Sequence, residues 1–229
     1  TLGGGDGGEG GRGDVGKLLA EAMARYPGRP AFLSGHSMGS LLSRSYIARR
    51  GKDLAGCVLM GTMGRNPGVK LGKGLAALQK RLLGPRSPSA LIGLLATAGY
   101  NKRIQNPVNR NAWLSSVDEV AVAYEEDPDT FFPFTAAGYY DMFSGLAEIS
   151  SASWAERVPQ DLPLYLLAGE EDPVGHYGKG PRQVYEWLKQ TGHRDLSLKL
   201  YPYMRHELLN EKGKEEVYAD ILAWLNAHL

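Results

Sequence analysis

The sequence predicts an α/β protein: a mostly parallel sheet flanked by helices, with a helical segment inserted between two halves of the sheet. Three observations carry that expectation. Short apolar runs alternate with amphipathic stretches at both ends of the chain, the alternation lapses between residues 64 and 158, and the candidate reactive side chains fall just after apolar runs.

The first element is the least orthodox. In TLGGGDGGEGGRGDVG nine of 16 residues are glycine, so residues 1–16 are set apart as a glycine-rich segment that neither packs a core nor holds a regular element. It also lacks the basic start and apolar run of a signal peptide. Leu18, Leu19, Ala22, Met23 and Tyr26 then recur at helical spacing until Pro27-Gly28 stops them, and Pro30-Ala31-Phe32-Leu33 opens a strand placed at 30–34. From Met38 a second helical stripe runs to about Gly51, and LAGCVLMGT reads as a buried strand.

Between Gly64 and Val158 only helical pieces are expected: GLAALQKRLLG, SPSALIGLLATAGY, SVDEVAVAYEEDP and TAAGYYDMFSGLAEIS. Alternation returns with a strand at LPLYLLAG (162–169), a helix at 181–191 opened by Pro181, a strand at LSLKLYP (196–202) and a last helix with Val217, Ile221 and Leu225 on one face. The expected organisation is a core of 17–63 and 159–229, interrupted by a helical cap at 64–158.

Composition narrows the function classes. At 229 residues and 43% apolar content the chain can bury a full core. Its 26 Lys and Arg against 25 Asp and Glu leave a net charge of +1, which gives no long-range field for nucleic acid or an anionic membrane. The single cysteine, Cys57, lies in an apolar run and reads as buried filler, which excludes a disulfide framework. The longest apolar run, ALIGLLATAGY, falls short of the roughly 20 residues a membrane span needs. We expect a cytoplasmic protein with no cofactor and no metal, since neither His-Glu-x-x-His spacing nor a phosphate-cradling glycine loop occurs.

In a parallel sheet the loops at the carboxyl ends of the strands build the site. Those loops carry Ser37 in GHSMGS, Asp172 in GEEDPVG and His206 in YPYMRHE. A hydroxyl at neutral pH needs a base to take its proton, and the base needs a carboxylate to fix its tautomer. Gly35-His36-Ser37-Met38-Gly39 fits Gly-x-Ser-x-Gly, the pattern of a strained strand-to-helix turn, and places the Met38 N–H where it could donate to a developing oxyanion. Alone, the pentapeptide also fits an ordinary turn serine.

With these three motifs in order, residues 15–229 resemble the α/β-hydrolase superfamily, and GHSMGS, GEEDPVG and YPYMRHELLNE are similar to its bacterial monoacylglycerol lipase and lysophospholipase branch. The resemblance implies Ser37 as nucleophile, Asp172 as acid, His206 as general base, Met38 as an oxyanion donor, and 64–158 as a cap shaping an acyl pocket. It implies a small-molecule acyl ester as substrate and no nucleic-acid partner. Members of that superfamily carry further strands and a His-Gly type oxyanion loop before the nucleophile strand. Nothing before residue 30 reads as either, so we expect the amino-terminal strands and the second donor to lie outside this chain.

Competing assignments stay open. His36 and His176 are candidates for a pocket wall, and His176 for the base; His193 and His228 follow helices and read as solvated; Glu170 or Glu171 could replace Asp172. The aromatic stretch FFPFTAAGYYDMF is a cap core or an opening lid, and Leu75 to Leu95 could touch a membrane surface. An amide-cleaving, proline-releasing aminopeptidase and a catalytically silent binding module of the same fold are the alternatives to an ester hydrolase.

Overall fold

A computed structural model describes residues 7–130 and 133–229, with side chains from residue 13 onward. The chain runs α1 (Gly7–Arg25), β1 (Phe32–His36), α2 (Met38–Arg50), β2 (Gly56–Met60), then α3 (Val69–Leu83), α4 (Ala90–Thr97), α5 (Asp118–Glu126), α6 (Ala136–Ile149) and α7 (Ala152–Ala155). It ends with β3 (Leu164–Gly169), α8 (Lys179–Gln190), β4 (Leu196–Tyr201) and α9 (Lys214–Ala227). Among the described residues the sheet has four strands in the order β1-β2-β3-β4, all parallel.

The side-chain alternation of β2 and β3 explains why the sheet is covered on both faces. Cys57, Leu59, Leu164 and Leu166 point into a core built with α2, α6 and α8, where Ile47, Ile149 and Leu188 are buried. Val58, Met60, Tyr165 and Leu167 point the other way, onto Val217 and Trp224 of α9. Cys57 is fully enclosed and its thiol is pushed well up by burial, in keeping with filler.

Several boundaries differ from the sequence reading, among them β3, which starts at Leu164 rather than at 162. β1 lies at Phe32–His36 rather than 30–34, because parallel pairing carries on through Ser34, Gly35 and His36 opposite Val58, Leu59 and Met60, beyond the apolar residues. α8 starts at Lys179, before Pro181, after a left-handed Gly178. The glycine-rich stretch was expected to hold no regular element, yet residues 7–16 extend α1 toward the amino terminus. Tertiary contact rather than propensity supports it: α1 packs on α2 and α6, and Gly16 brings its backbone against the ring of Tyr46. Residues 1–6 and the pair Phe131-Phe132 of the aromatic stretch lie outside the described residues.

Between β2 and β3 the described residues form helices joined by turns and loops, with one antiparallel bridge between Pro88 and Thr135 as their β feature. This insert is tied to α2 by Arg44, which is fully buried there. Its guanidinium donates to Met63 O at 2.7 Å and Ile149 O at 2.7 Å and lies 4.2 Å from the centre of the Trp154 ring, whose Nε1–H donates to Arg44 O at 2.7 Å. Burial lowers the guanidinium pKa to about 9, so it stays charged at neutral pH with carbonyls and a π face as its environment.

Candidate active site

The site begins at the turn between β1 and α2. Ser37 sits there with φ 53° and ψ −117°, a backbone conformation that costs an L-residue roughly 1–3 kcal/mol and is held by the elements either side. Its N–H donates to Met60 O at 3.0 Å, which fixes the turn to β2. A Cβ at Gly35 would lie 2.3 Å from Gly39 O and 2.4 Å from Ser43 Oγ, so only glycine lets the strand pass this close to the helix. The second glycine of the motif is under no such constraint, because the space around Gly39 is open among the described residues. Met38 is the first residue of α2, and its N–H is one of the helix donors with no acceptor a turn earlier.

His206 and Asp172 meet behind this turn. Asp172 is fully buried; Oδ1 accepts the Val174 N–H at 2.8 Å and Oδ2 lies 3.0 Å from His206 Nδ1. A neutral ring that donates Nδ1–H to that carboxylate leaves a lone pair on Nε2. Nε2 is buried and makes no hydrogen bond in this structure, so Ser37 and His206 are not yet joined, an arrangement common in unliganded sites, where such contacts tighten on binding. Gly61 brings the end of β2 against His206: a Cβ there would lie 3.0 Å from His206 Cε1.

The other candidates take different places. His36 is partly buried against His206, its ring 4.6 Å from that of His206 and its Nε2 2.9 Å from His206 O, where the N–H donates. Burial, aided by the neighbouring His206, lowers its pKa and keeps it neutral. Neither His36 nor His176 lines the cavity beside Ser37; His176 is exposed, and Val174 forms the wall two residues after Asp172. Glu170 and Glu171 are exposed, whereas Asp172 faces the histidine. His193 and His228 are not solvated as expected: their Nδ1 atoms sit 3.1 Å from Leu188 O and 2.6 Å from Trp224 O, binding carbonyls at helix carboxyl ends.

The cavity beside Ser37 has a volume of about 560 Å³, within the range of small-molecule sites. Its walls are mostly apolar, with Leu41, Ile92, Phe143 and Leu146 among them, and none of the described residues that line it is charged. Trp113 also lines it, with its ring 5.2 Å from that of His206. Sequence reasoning missed Trp113 because no spacing marks it; its neighbourhood is a short 3-10 turn, Ala112–Leu114. Among the described residues no group of three or more His, Cys, Asp or Glu is placed to hold a metal ion.

A parallel sheet between helices, with a serine on a strained strand-to-helix turn beside an Asp-His pair, defines an α/β-hydrolase. The family model described as Serine aminopeptidase, S33 matches residues 12–213, and the chain belongs to that family of hydrolases. It is 26% identical over 223 residues to a monoacylglycerol lipase of Mycolicibacterium smegmatis, covering 94% of this chain and 69% of that protein. A thermostable carboxyl esterase from Bacillus coagulans, solved in complex with glycerol, superposes with a TM-score of 0.89 at 32% identity, covering 94% of this chain and 70% of that one. The monoacylglycerol lipase of Paleococcus ferrophilus shares the fold with a TM-score of 0.74 at 22% identity, covering 97% of this chain and 76% of that one.

Proposed function

We propose that this hydrolase cleaves carboxylic esters of lipid-like substrates, a monoacylglycerol or a lysophospholipid, through an acyl-enzyme on Ser37. The observation that carries the reading is the buried Asp172-His206 pair behind an uncharged, apolar cavity that Ser37 lines. In this mechanism Ser37 Oγ attacks the carbonyl carbon while His206 Nε2 takes its proton, and the Met38 N–H donates to the oxyanion. Collapse of the tetrahedral intermediate expels the alcohol, which receives that proton from His206. Water, deprotonated by His206, then attacks the acyl carbon and frees Ser37 and the fatty acid.

The family description favours a second reading, an aminopeptidase acting through the same three side chains. Such an enzyme must recognise a substrate ammonium group, and a carboxylate in the pocket is the usual means. Among the described residues the cavity lining contains no Asp or Glu, which supports the ester. A panel of p-nitrophenyl acyl esters against amino-acyl and prolyl arylamides separates the two: turnover is expected on esters and to rise from two-carbon toward longer acyl chains. Arylamide turnover exceeding ester turnover would reverse the assignment.

The cap also supports a partner. Leu71, Leu82 and Leu83 of α3 and Leu91 and Leu94 of α4 are between 67% and 70% exposed. Leu71 and Leu95 both belong to this face and line the cavity, so the apolar surface continues into the site. The net charge of +1 hides a sorted distribution: between Asp53 and Asp118 the sequence has nine Lys or Arg and no Asp or Glu. Exposed Lys70, Arg81 and Arg86 fringe the leucines. An apolar face with a basic rim fits an anionic lipid surface. Among the described residues no helix is long and apolar enough to cross a membrane, so the contact proposed is peripheral. In vesicle sedimentation the protein is expected to bind phosphatidylglycerol-rich more than pure phosphatidylcholine vesicles, and Leu82→Glu with Leu91→Glu to abolish binding while leaving turnover of a short soluble ester intact. Equal recovery with both lipids, or unaffected binding by the double variant, would refute the surface.

A further inference from the structure

The loop that carries His206 is laced to one short piece of the cap, residues 112–116. Arg205, just before the histidine, donates from one guanidinium nitrogen to Ala112 O and to Ser115 O, each at 2.7 Å. Glu207, just after it, donates its N–H to Leu114 O at 2.7 Å. Ser115 Oγ donates to Asn210 O at 3.3 Å. One side chain closes this set: Glu211, only 2% exposed. Its Oε1 accepts the N–H of Arg205 at 2.7 Å and the N–H of Ser116 at 2.8 Å, and its Oε2 accepts the Ser116 hydroxyl and the N–H of Lys212 at 3.3 Å.

A buried carboxylate is costly unless its oxygens are filled with donors, and donors fixed on two separate segments make it a strut between them. Here one segment bears the histidine and the other bears Trp113, which packs on the histidine ring and lines the cavity. We infer that Glu211 is a positioning residue: it sets the place of the His206 ring relative to Ser37 by locking the 205–207 backbone to residues 112–116. This rests on the reading of His206 as the base. The cap thereby does more than wall the pocket, since any shift of residues 112–116 is passed to the base through backbone hydrogen bonds.

Glu211→Gln keeps the size of the side chain but turns one acceptor oxygen into a donor, which then faces the Ser116 hydroxyl and the Lys212 N–H. Ser116→Ala removes the hydroxyl donor at an exposed position and leaves the carboxylate in place. The experiment measures kcat and KM on p-nitrophenyl butyrate, the rate of fluorophosphonate labelling, and the melting temperature for wild type and both variants. Displacing a catalytic group by a fraction of an ångström is expected to lower kcat of Glu211→Gln roughly tenfold to a hundredfold with KM unchanged. Labelling should slow by the same factor, and Ser116→Ala should show a smaller fall in kcat at an unchanged melting temperature.

A wild type that does not label would remove the base reading itself. A wild type that labels, beside variants with unchanged kcat or with altered KM alone, would overturn the positioning role and leave the base reading intact. Should Glu211→Gln not fold, Ser116→Ala decides the question by the same criterion.

Discussion

Ser37→Ala is expected to lower kcat on a short-chain ester by roughly 10⁴- to 10⁶-fold, with the melting temperature within a few degrees of wild type. The size follows from the chemistry: without the hydroxyl no acyl-enzyme forms, and the residual rate is that of a positioned water near the oxyanion donor. Stability is little affected because alanine meets the same left-handed strain at φ 53° that serine already bears, and the turn is held by the Ser37 N–H to Met60 O bond, which the substitution keeps. Ser37→Gly, inactive for the same reason, should melt no lower than Ser37→Ala, since glycine adopts that backbone without penalty. Steady-state kinetics and calorimetry on the three proteins check both halves.

Asp172→Asn is expected to cost roughly 10³- to 10⁴-fold in kcat with KM nearly unchanged. The asparagine oxygen can keep the bond from the Val174 N–H, now 2.8 Å to Oδ1, so the loop stays in place. Its amide then points an N–H at His206 Nδ1 across the 3.0 Å gap that the carboxylate now spans. That contact requires the lone pair on Nδ1, puts the proton on Nε2, and so removes the acceptor that Ser37 needs. A variant retaining most of its activity would show that the histidine tautomer is not set by this residue.

The legible part of the site was the part written in short apolar runs. β2, β3 and β4 are marked by Cys57-Val58-Leu59-Met60, Leu164-Tyr165-Leu166-Leu167 and Leu196-Ser197-Leu198, and Asp172 and His206 lie in the loops that follow β3 and β4. That the sheet is parallel follows from the intervening helices, and it brings Asp172 and His206 together although 34 residues separate them. β1 was placed two residues early because its second half, Ser34-Gly35-His36, carries no apolar signal and is held by pairing with β2. Arg44 was invisible for a different reason. In LLSRSYIARR an arginine reads as a solvated residue, and only the tertiary positions of Met63 O, Ile149 O and the Trp154 ring turn it into a buried strut. Glu211 belongs with it: four donors from three stretches of chain converge on it, and no spacing in HELLNE announces them. His193 and His228 were misjudged because a histidine after a helix reads as exposed, while each ring here folds back on the helix's own carbonyls.

Charge shows the same limit. A net charge of +1 describes the chain as a whole, but a binding surface responds to the local field, and the stretch between Asp53 and Asp118 is wholly cationic among its charged residues. The exposed leucines and the basic residues lie on the same helices that wall the cavity, so the proposed lipid contact would fall on the face that bears the cavity.

The most direct test of the central claim is fluorophosphonate labelling with peptide mapping, run on folded wild type and on His206→Ala. The account predicts one phosphonylated residue, Ser37, in wild type, and loss of labelling in His206→Ala, because the reagent reports an activated hydroxyl and the activation comes from that imidazole. Absence of labelling in a wild type that unfolds cooperatively would contradict the account and is what a catalytically silent binding module of this fold would give; labelling at another residue would contradict the site.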